Sequence, residues 1–300
     1  MPPELPHPLR PRRSLLYMPG SNARALAKAR SLAADGLIFD LEDAVAPAAK
    51  VAARDTIAAA LAAGGYGPRE ILLRVNAPET PWGAEDLAFA ARQPIDGVVL
   101  PKVDGGETVR QAVSRLRDHG APRRLAVWCM METPRGILDA AAIAGSSPAL
   151  AGLLMGTADL AKELGARHTC ERLPLLAALG LCLLAARAHG LAILDGVHLD
   201  LADEAGFARA CRQGVEFGFD GKTLIHPKTI AAANAAFAPT AEDVAGAHRI
   251  IAAHDAAEAR GEGVVLVDGR LVERLHVASA RRLVALAGAI AAREAADGRG

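Results

Sequence analysis

A closed (β/α)8 TIM barrel carrying a C-terminal β-hairpin plus helix extension is the fold class the sequence predicts, on three observations. Eight short runs rich in Val, Ile and Leu alternate with longer alanine-rich segments of helical period, the pattern of repeated strand–helix units. Most gaps carry the helix that a parallel crossover requires. No GxGxxG follows the first run, which removes the usual sequence support for an open dinucleotide-binding sheet.

The strands are expected at 14–18, 36–40, 71–75, 97–100, 125–131, 151–155, 191–194 and 220–225. Most are short apolar runs of the kind that a parallel sheet buries on both faces. Helices fill roughly 22–34, 50–63, 84–92, 106–119, 135–144, 172–189, 203–217 and 240–259, where alanine and leucine recur at helical spacing. Beyond them, Val264 to Val267, Asp268-Gly269 and Arg270-Leu271-Val272 read as a two-residue hairpin, followed by a final helix near 277–292. The domain reading is a barrel over 1–240 and an extension over 241–300, the latter expected to reach a neighbouring subunit.

The composition excludes several function classes. The chain has 300 residues, 51% of them hydrophobic, and a net charge of zero. That is ample for one core of barrel size, typically ~250 residues, and it lacks the clustered basic face of a nucleic-acid binder. Cys129, Cys170, Cys182 and Cys211 show no CxxC spacing, so they read as reduced thiols of a cytoplasmic protein. The most apolar stretch, 173–188, is shorter than the ~20 residues of a membrane span. No membrane partner is expected. Residues 1–13, rich in proline and arginine, read as an arm rather than a signal peptide.

Barrel chemistry sits just past the C-terminal ends of the strands. Applied here, that rule collects Asp40, Glu42 and Asp43 after the second strand, Arg74 after the third, Lys102 after the fourth, Glu132 after the fifth and Asp159 after the sixth. Glu132 and Asp159 offer the hard oxygen ligands that suit Mg²⁺. Arg74 presents a planar fork for a carboxylate and Lys102 a further positive charge. The site suits an anionic, oxygen-rich small molecule bound on a metal. Competing structural readings stand beside each role: Asp43 or Asp159 as a helix cap, Arg74 as a loop-holding ion pair with Glu42. Lys50 and Arg54, spaced i, i+4, share a helix face that points either at phosphates or at solvent. His198 and His226 follow the last two strands and carry no assigned role.

At these residues the chain resembles the HpcH/HpaI aldolase and citrate lyase β-subunit family, in particular its acyl-CoA lyase branch of malyl-CoA and citramalyl-CoA lyases. The matching segments are Arg13-Ser14-Leu15-Leu16-Tyr17-Met18-Pro19-Gly20, Phe39-Asp40-Leu41-Glu42-Asp43-Ala44-Val45, residues 50–54, Leu73-Arg74-Val75-Asn76, Leu100-Pro101-Lys102, Glu132-Thr133-Pro134, Met155-Gly156-Thr157-Ala158-Asp159-Leu160, Gly218-Phe219-Asp220-Gly221-Lys222 and Ile225-His226-Pro227. The resemblance implies a homotrimeric barrel with Mg²⁺, or Mn²⁺ as a substitute, on Glu132 and Asp159. It implies that Arg74 grips the carboxylate of the keto-acid portion, and that CoA is held by Arg13 and the Lys50 region. It further implies an acid from the hairpin of a neighbouring subunit. Many lyases of the family read Met-Val-Asp or Met-Ile-Asp there, whereas this chain has Leu271-Val272-Glu273, keeping the acid but lengthening it by one methylene. Ala158 replaces an asparagine common among relatives.

The function these readings imply is carbon–carbon cleavage of a 3-hydroxy-dicarboxyl acyl-CoA to acetyl-CoA and a 2-keto acid. The catalytic candidates are Arg74, Glu273 and Asp40; the substrate and CoA contacts are Arg13, Lys50, Arg74, Lys102, Glu42 and Asp43. Three alternatives remain open: hydrolysis of malyl-CoA at the thioester, a citrate lyase β subunit acting on an acyl-carrier-protein thioester, and a non-catalytic CoA-ester binding protein.

Overall fold

Eight apolar runs become eight parallel strands in the computed structural model, which describes residues 10–261 and 264–298. In order these are β1 (Ser14–Pro19), β2 (Gly36–Asp40), β3 (Glu70–Arg74), β4 (Gly97–Leu100), β5 (Ala126–Met131), β6 (Leu150–Met155), β7 (Ala192–Asp195) and β8 (Gly221–Leu224). They close into a barrel when β8 pairs with β1, Ser14 opposite Lys222 and Leu16 opposite Leu224. The helices are α1 (Ala23–Ala29), α2 (Lys50–Ala63), α3 (Gly83–Ala90), α4 (Gly106–Asp118), α5 (Pro134–Leu138), α6 (Ala140–Ala144), α7 (Thr157–Glu163), α8 (Leu176–Ala188), α9 (Glu204–Phe217) and α10 (Ile230–Phe237). The single helix expected over 135–144 is two short ones, joined at Asp139. α7 and α10 were not foreseen.

Strand residues two apart share a face, and this parity sorts the barrel into two cores. Leu15, Ile38, Leu72, Val99, Trp128, Met130, Leu154 and Leu194 fill the interior. The alternate residues, among them Leu16, Leu37, Leu73 and Val98, pack outward against the helices. Trp128 is the largest fully buried side chain. Glycines make room for it: a Cβ at Gly152 would lie 2.3 Å from its ring and one at Gly97 3.2 Å away.

Residues Arg12–Phe237 form one compact unit, and the chain from Ala238 belongs to a second. The second unit holds α11 (Ala241–Glu258), the antiparallel pair β9 (Val265–Val267) and β10 (Arg270–Val272), and α12 (Arg274–Ala296). Asp268 and Gly269 both take positive φ, 48° and 76°, as a type I′ hairpin turn demands. α12 is the one described helix long and apolar enough to cross a membrane, with mean hydropathy 1.3. It packs against α11, and Arg281 and Arg282 interrupt it near its middle.

Three expectations need correction. Arg13 lies at the N-terminal end of β1, the end away from barrel chemistry, buried and gripping Asp35 through Nε at 2.9 Å and Nη2 at 3.0 Å. A CoA contact there conflicts with that placement. Beside it, Arg12 pairs with Glu70 at 2.6 Å, so these two residues are anchored; the rest of the N-terminal arm, through residue 9, lies outside the described residues. Lys50 is also buried, its ammonium donating to the carbonyls of Leu41 and Glu42 at 2.9 Å each and resting 5.2 Å from the Trp82 ring. It ties down the loop after β2. Arg54 is taken by Asp86 at 2.7 Å, so the pair faces neither phosphate nor solvent.

Candidate active site

On four strands, β1, β2, β3 and β5, the inward parity carries a polar residue to the C-terminal rim. Tyr17 follows Leu15, Asp40 follows Ile38, Arg74 follows Leu72, and Glu132 follows Trp128 and Met130. Because Asp40 and Arg74 are paired positions on adjacent strands, their side chains meet. Arg74 donates from Nε to Asp40 Oδ1 and from Nη2 to Oδ2, both at 2.7 Å, in the bidentate geometry that fixes a guanidinium plane. The Tyr17 ring lies 4.8 Å from that guanidinium. Tyr17 was not foreseen as a site residue, although the same two-residue parity points it inward.

Asp40 is fully buried, and its oxygens also accept from the backbone N–H groups of Glu42 and Ala44 at 2.9 and 3.0 Å. That saturation corrects its assignment as a catalytic group: it positions Arg74. The third nitrogen of Arg74, Nη1, turns to Glu42 at 2.9 Å and to the more exposed Asp43 at 3.4 Å. Glu42 bridges onward to the Lys102 ammonium. Burial would lower the pKa of Lys102, but the Glu42 bond outweighs it and holds it above the usual lysine range. The structural ion pair and the strand-end cluster are therefore one network.

Lys102 does a second thing. Its φ is +49°, a left-handed conformation costly for a residue with a side chain, and its backbone N–H donates to Glu132 Oε1 at 2.8 Å. The other oxygen, Oε2, is buried without a hydrogen-bond partner. Burial, then the nearby Glu42 charge, push the Glu132 carboxyl up to about 7. Gly156 touches it directly: a Cβ there would sit 2.4 Å from Glu132 Cβ and 2.5 Å from Oε2. Gly156 opens α7, whose first turn carries Asp159.

An orphaned buried carboxylate oxygen calls for a partner, and a cation is one that suits it. Asp40, Glu42, Asp43 and Glu132 outnumber Arg74 and Lys102 by two charges before Asp159 is counted. Among the described residues no group of three acidic, histidine or cysteine ligands gathers at Glu132, and Asp159 is placed one turn into the helix that Gly156 opens. One or two carboxylates with open positions is the donor set that Mg²⁺ accepts. The residues fit. Gly156→Ala is expected to displace Glu132 and cut metal-dependent turnover severely, with circular dichroism unchanged; an alanine variant of full activity would show that Glu132 tolerates displacement.

Glu273 lies in the second unit, as the residue capping the N-terminus of α12. Its own N–H donates to His276 Nδ1 at 3.0 Å, and the His276 N–H donates to the Glu273 backbone carbonyl at 2.9 Å.

A model described as HpcH/HpaI aldolase/citrate lyase matches residues 13–227. The chain belongs to the HpcH/HpaI aldolase/citrate lyase family. Members of this family are enzymes, and the matched span takes in every barrel residue of the site. A family member from Cereibacter sphaeroides, named (3S)-malyl-CoA thioesterase, is 49% identical over 286 residues, covering 95% of this chain and 98% of that protein. The citrate lyase subunit beta of Escherichia coli is 36% identical, covering 93% and 94%. Among solved structures of the family, the protein CitE of Mycobacterium tuberculosis in complex with magnesium, acetoacetate and coenzyme A superposes with a TM-score of 0.74 at 32% identity, covering 92% of this chain and 97% of that one.

Proposed function

We propose that this chain is a Mg²⁺-dependent enzyme that hydrolyses the thioester of a 3-hydroxy-dicarboxylic acyl-CoA of the malyl-CoA type. The observation that carries this reading is the 49% identity, sustained over 95% of the chain, to a protein named (3S)-malyl-CoA thioesterase. The magnesium-bound CitE complex supports the metal, and the orphaned Oε2 of Glu132 supports its place. Glu132 and Asp159 hold the ion, which supplies positive charge to polarise substrate oxygens.

The chain's own groups do the rest. Asp40 and the Tyr17 ring fix Arg74 on two sides, and Nη1, which Glu42 and Asp43 hold in the ligand-free protein, is the nitrogen that the distal carboxylate of the substrate takes over from them. Lys102, on the more exposed side of the network, adds positive charge toward the CoA ester. Glu273, delivered from a neighbouring copy in a trimer, takes a proton from water as that water attacks the thioester carbonyl; it then returns the proton to the departing thiolate sulfur.

The second reading is carbon–carbon cleavage to acetyl-CoA and a 2-keto acid, favoured by the match to a family described as aldolase and citrate lyase. A mass-spectrometric product assay with malyl-CoA and citramalyl-CoA, with Mg²⁺ and with EDTA, separates the two. Free CoA with malate or citramalate, only when metal is present, is the expected outcome. Acetyl-CoA with glyoxylate or pyruvate overturns hydrolysis in favour of cleavage, and no turnover overturns both.

Arg74→Lys keeps the charge but not the fork. Losing one charge-assisted bond of ~1.5–3 kcal/mol should lower kcat/KM roughly 10- to 100-fold. Steady-state kinetics with an unchanged kcat/KM would remove Arg74 from substrate binding.

A further inference from the structure

The last turns of α11 carry His254, Asp255 and Glu258, and the i, i+4 spacing sets His254 and Glu258 on one helix face. His254 is 8% exposed, and its Nδ1 is buried without a hydrogen bond. The nearest acid oxygen, Asp255 Oδ1, stands 3.9 Å away, beyond hydrogen-bond reach. One ligand atom from each of the three residues lies within 4.8 Å of the other two. An unpaired buried imidazole nitrogen is unfavourable, and the two neighbouring carboxylates repel except as Arg281, 2.8 Å from Asp255 Oδ1, offsets them. A cation removes both penalties.

We propose that His254, Asp255 and Glu258 form a divalent-cation site in the C-terminal unit, separate from the barrel carboxylates and suited to a borderline ion such as Zn²⁺. The imidazole selects for this class, because Mg²⁺ prefers an all-oxygen shell. Nδ1 of His254 and one oxygen from each acid supply three ligands, and water completes the set. Two features of the fold assist. Glu258 is the final residue of α11, where the negative end of the helix dipole favours a cation. Arg281 of α12 donates to Asp255 Oδ1 at 2.8 Å, orienting a ligating carboxylate from outside as metal sites commonly require. The ion pins the end of α11 just before the chain enters the hairpin.

Calorimetric titration of the full chain with Zn²⁺, at saturating Mg²⁺, tests this. One Zn²⁺ per chain should bind in the parent and in the Glu132→Gln and Asp159→Asn variants alike. Cobalt(II) at the same site should give visible absorption bands that Zn²⁺ displaces. His254→Ala should weaken binding by at least the roughly 10- to 100-fold seen when even an outer partner of a ligand is lost. Glu258→Gln, at an exposed position that leaves the helix intact, should weaken it too and decides the matter if His254→Ala does not fold. The proposal is overturned if no stoichiometric Zn²⁺ binds, if binding survives Glu258→Gln unweakened, or if it disappears in the barrel variants.

Discussion

Glu132→Gln is expected to abolish metal-dependent turnover while leaving the barrel folded. The amide keeps the shape and can still accept the Lys102 backbone N–H through its oxygen, but it cannot present an anionic Oε2 to a cation. Losing metal stabilisation of developing charge removes several kcal/mol, so kcat should fall by ~10³-fold or more. Stability should move differently. A buried carboxylate with one partnerless oxygen strains the metal-free protein, so the variant should melt at the same temperature as the parent or above it. Added Mg²⁺ should raise the melting temperature of the parent and not that of the variant. A variant that still turns over, or one stabilised by Mg²⁺ like the parent, refutes the assignment of Glu132 as a ligand.

Asp195→Asn should have the largest effect on stability. Asp195 is fully buried between β7 and the helices, accepting from Lys222 Nζ at 2.7 Å and Arg172 Nη1 at 2.6 Å, with both cations nearly inaccessible. Burial alone would raise its pKa, but Lys222 and Arg172 hold it below the usual carboxylate range. Neutralising it leaves two buried cations facing an amide, a loss of roughly 3–5 kcal/mol. The sign with pH follows. A carboxyl depressed on folding contributes fully above its unfolded value of ~3.9, and its contribution fades as pH falls through the folded value. Urea unfolding at neutral pH should therefore show a large gap between parent and variant, narrowing in strong acid. Equal stability at neutral pH would mean that the triad contributes nothing.

The barrel was legible because seven of its eight strands are built on an apolar run, β8 with Lys222 and Thr223 being the exception, and burial on both faces leaves little polar alternation to blur them. Strands such as 97–100 coincide with the observed β4, and the others differ by about a residue at an end. What escaped were short helices: α7 is seven residues and follows its strand after one glycine, too brief to show a period. In the site, the strand-end rule brought Asp40, Glu42, Arg74, Lys102 and Glu132 into one network. Their partners were not readable, since Asp40 meets Arg74 only through the register of β2 against β3. Arg13 precedes β1, so the strand-end rule puts it at the opposite end of the barrel from the cluster, where it meets Asp35. The spacing of Lys50 shows which helix face it shares, not that it finds the carbonyls of Leu41 and Glu42.

Trp128 lies in the interior cluster, where glycines on β4 and β6 make room for its ring. It makes the barrel a cup rather than a tube. Whatever small molecule reaches the rim cluster of Asp40, Arg74 and Glu132 therefore has one mouth by which to enter and leave, the one at the C-terminal ends of the strands.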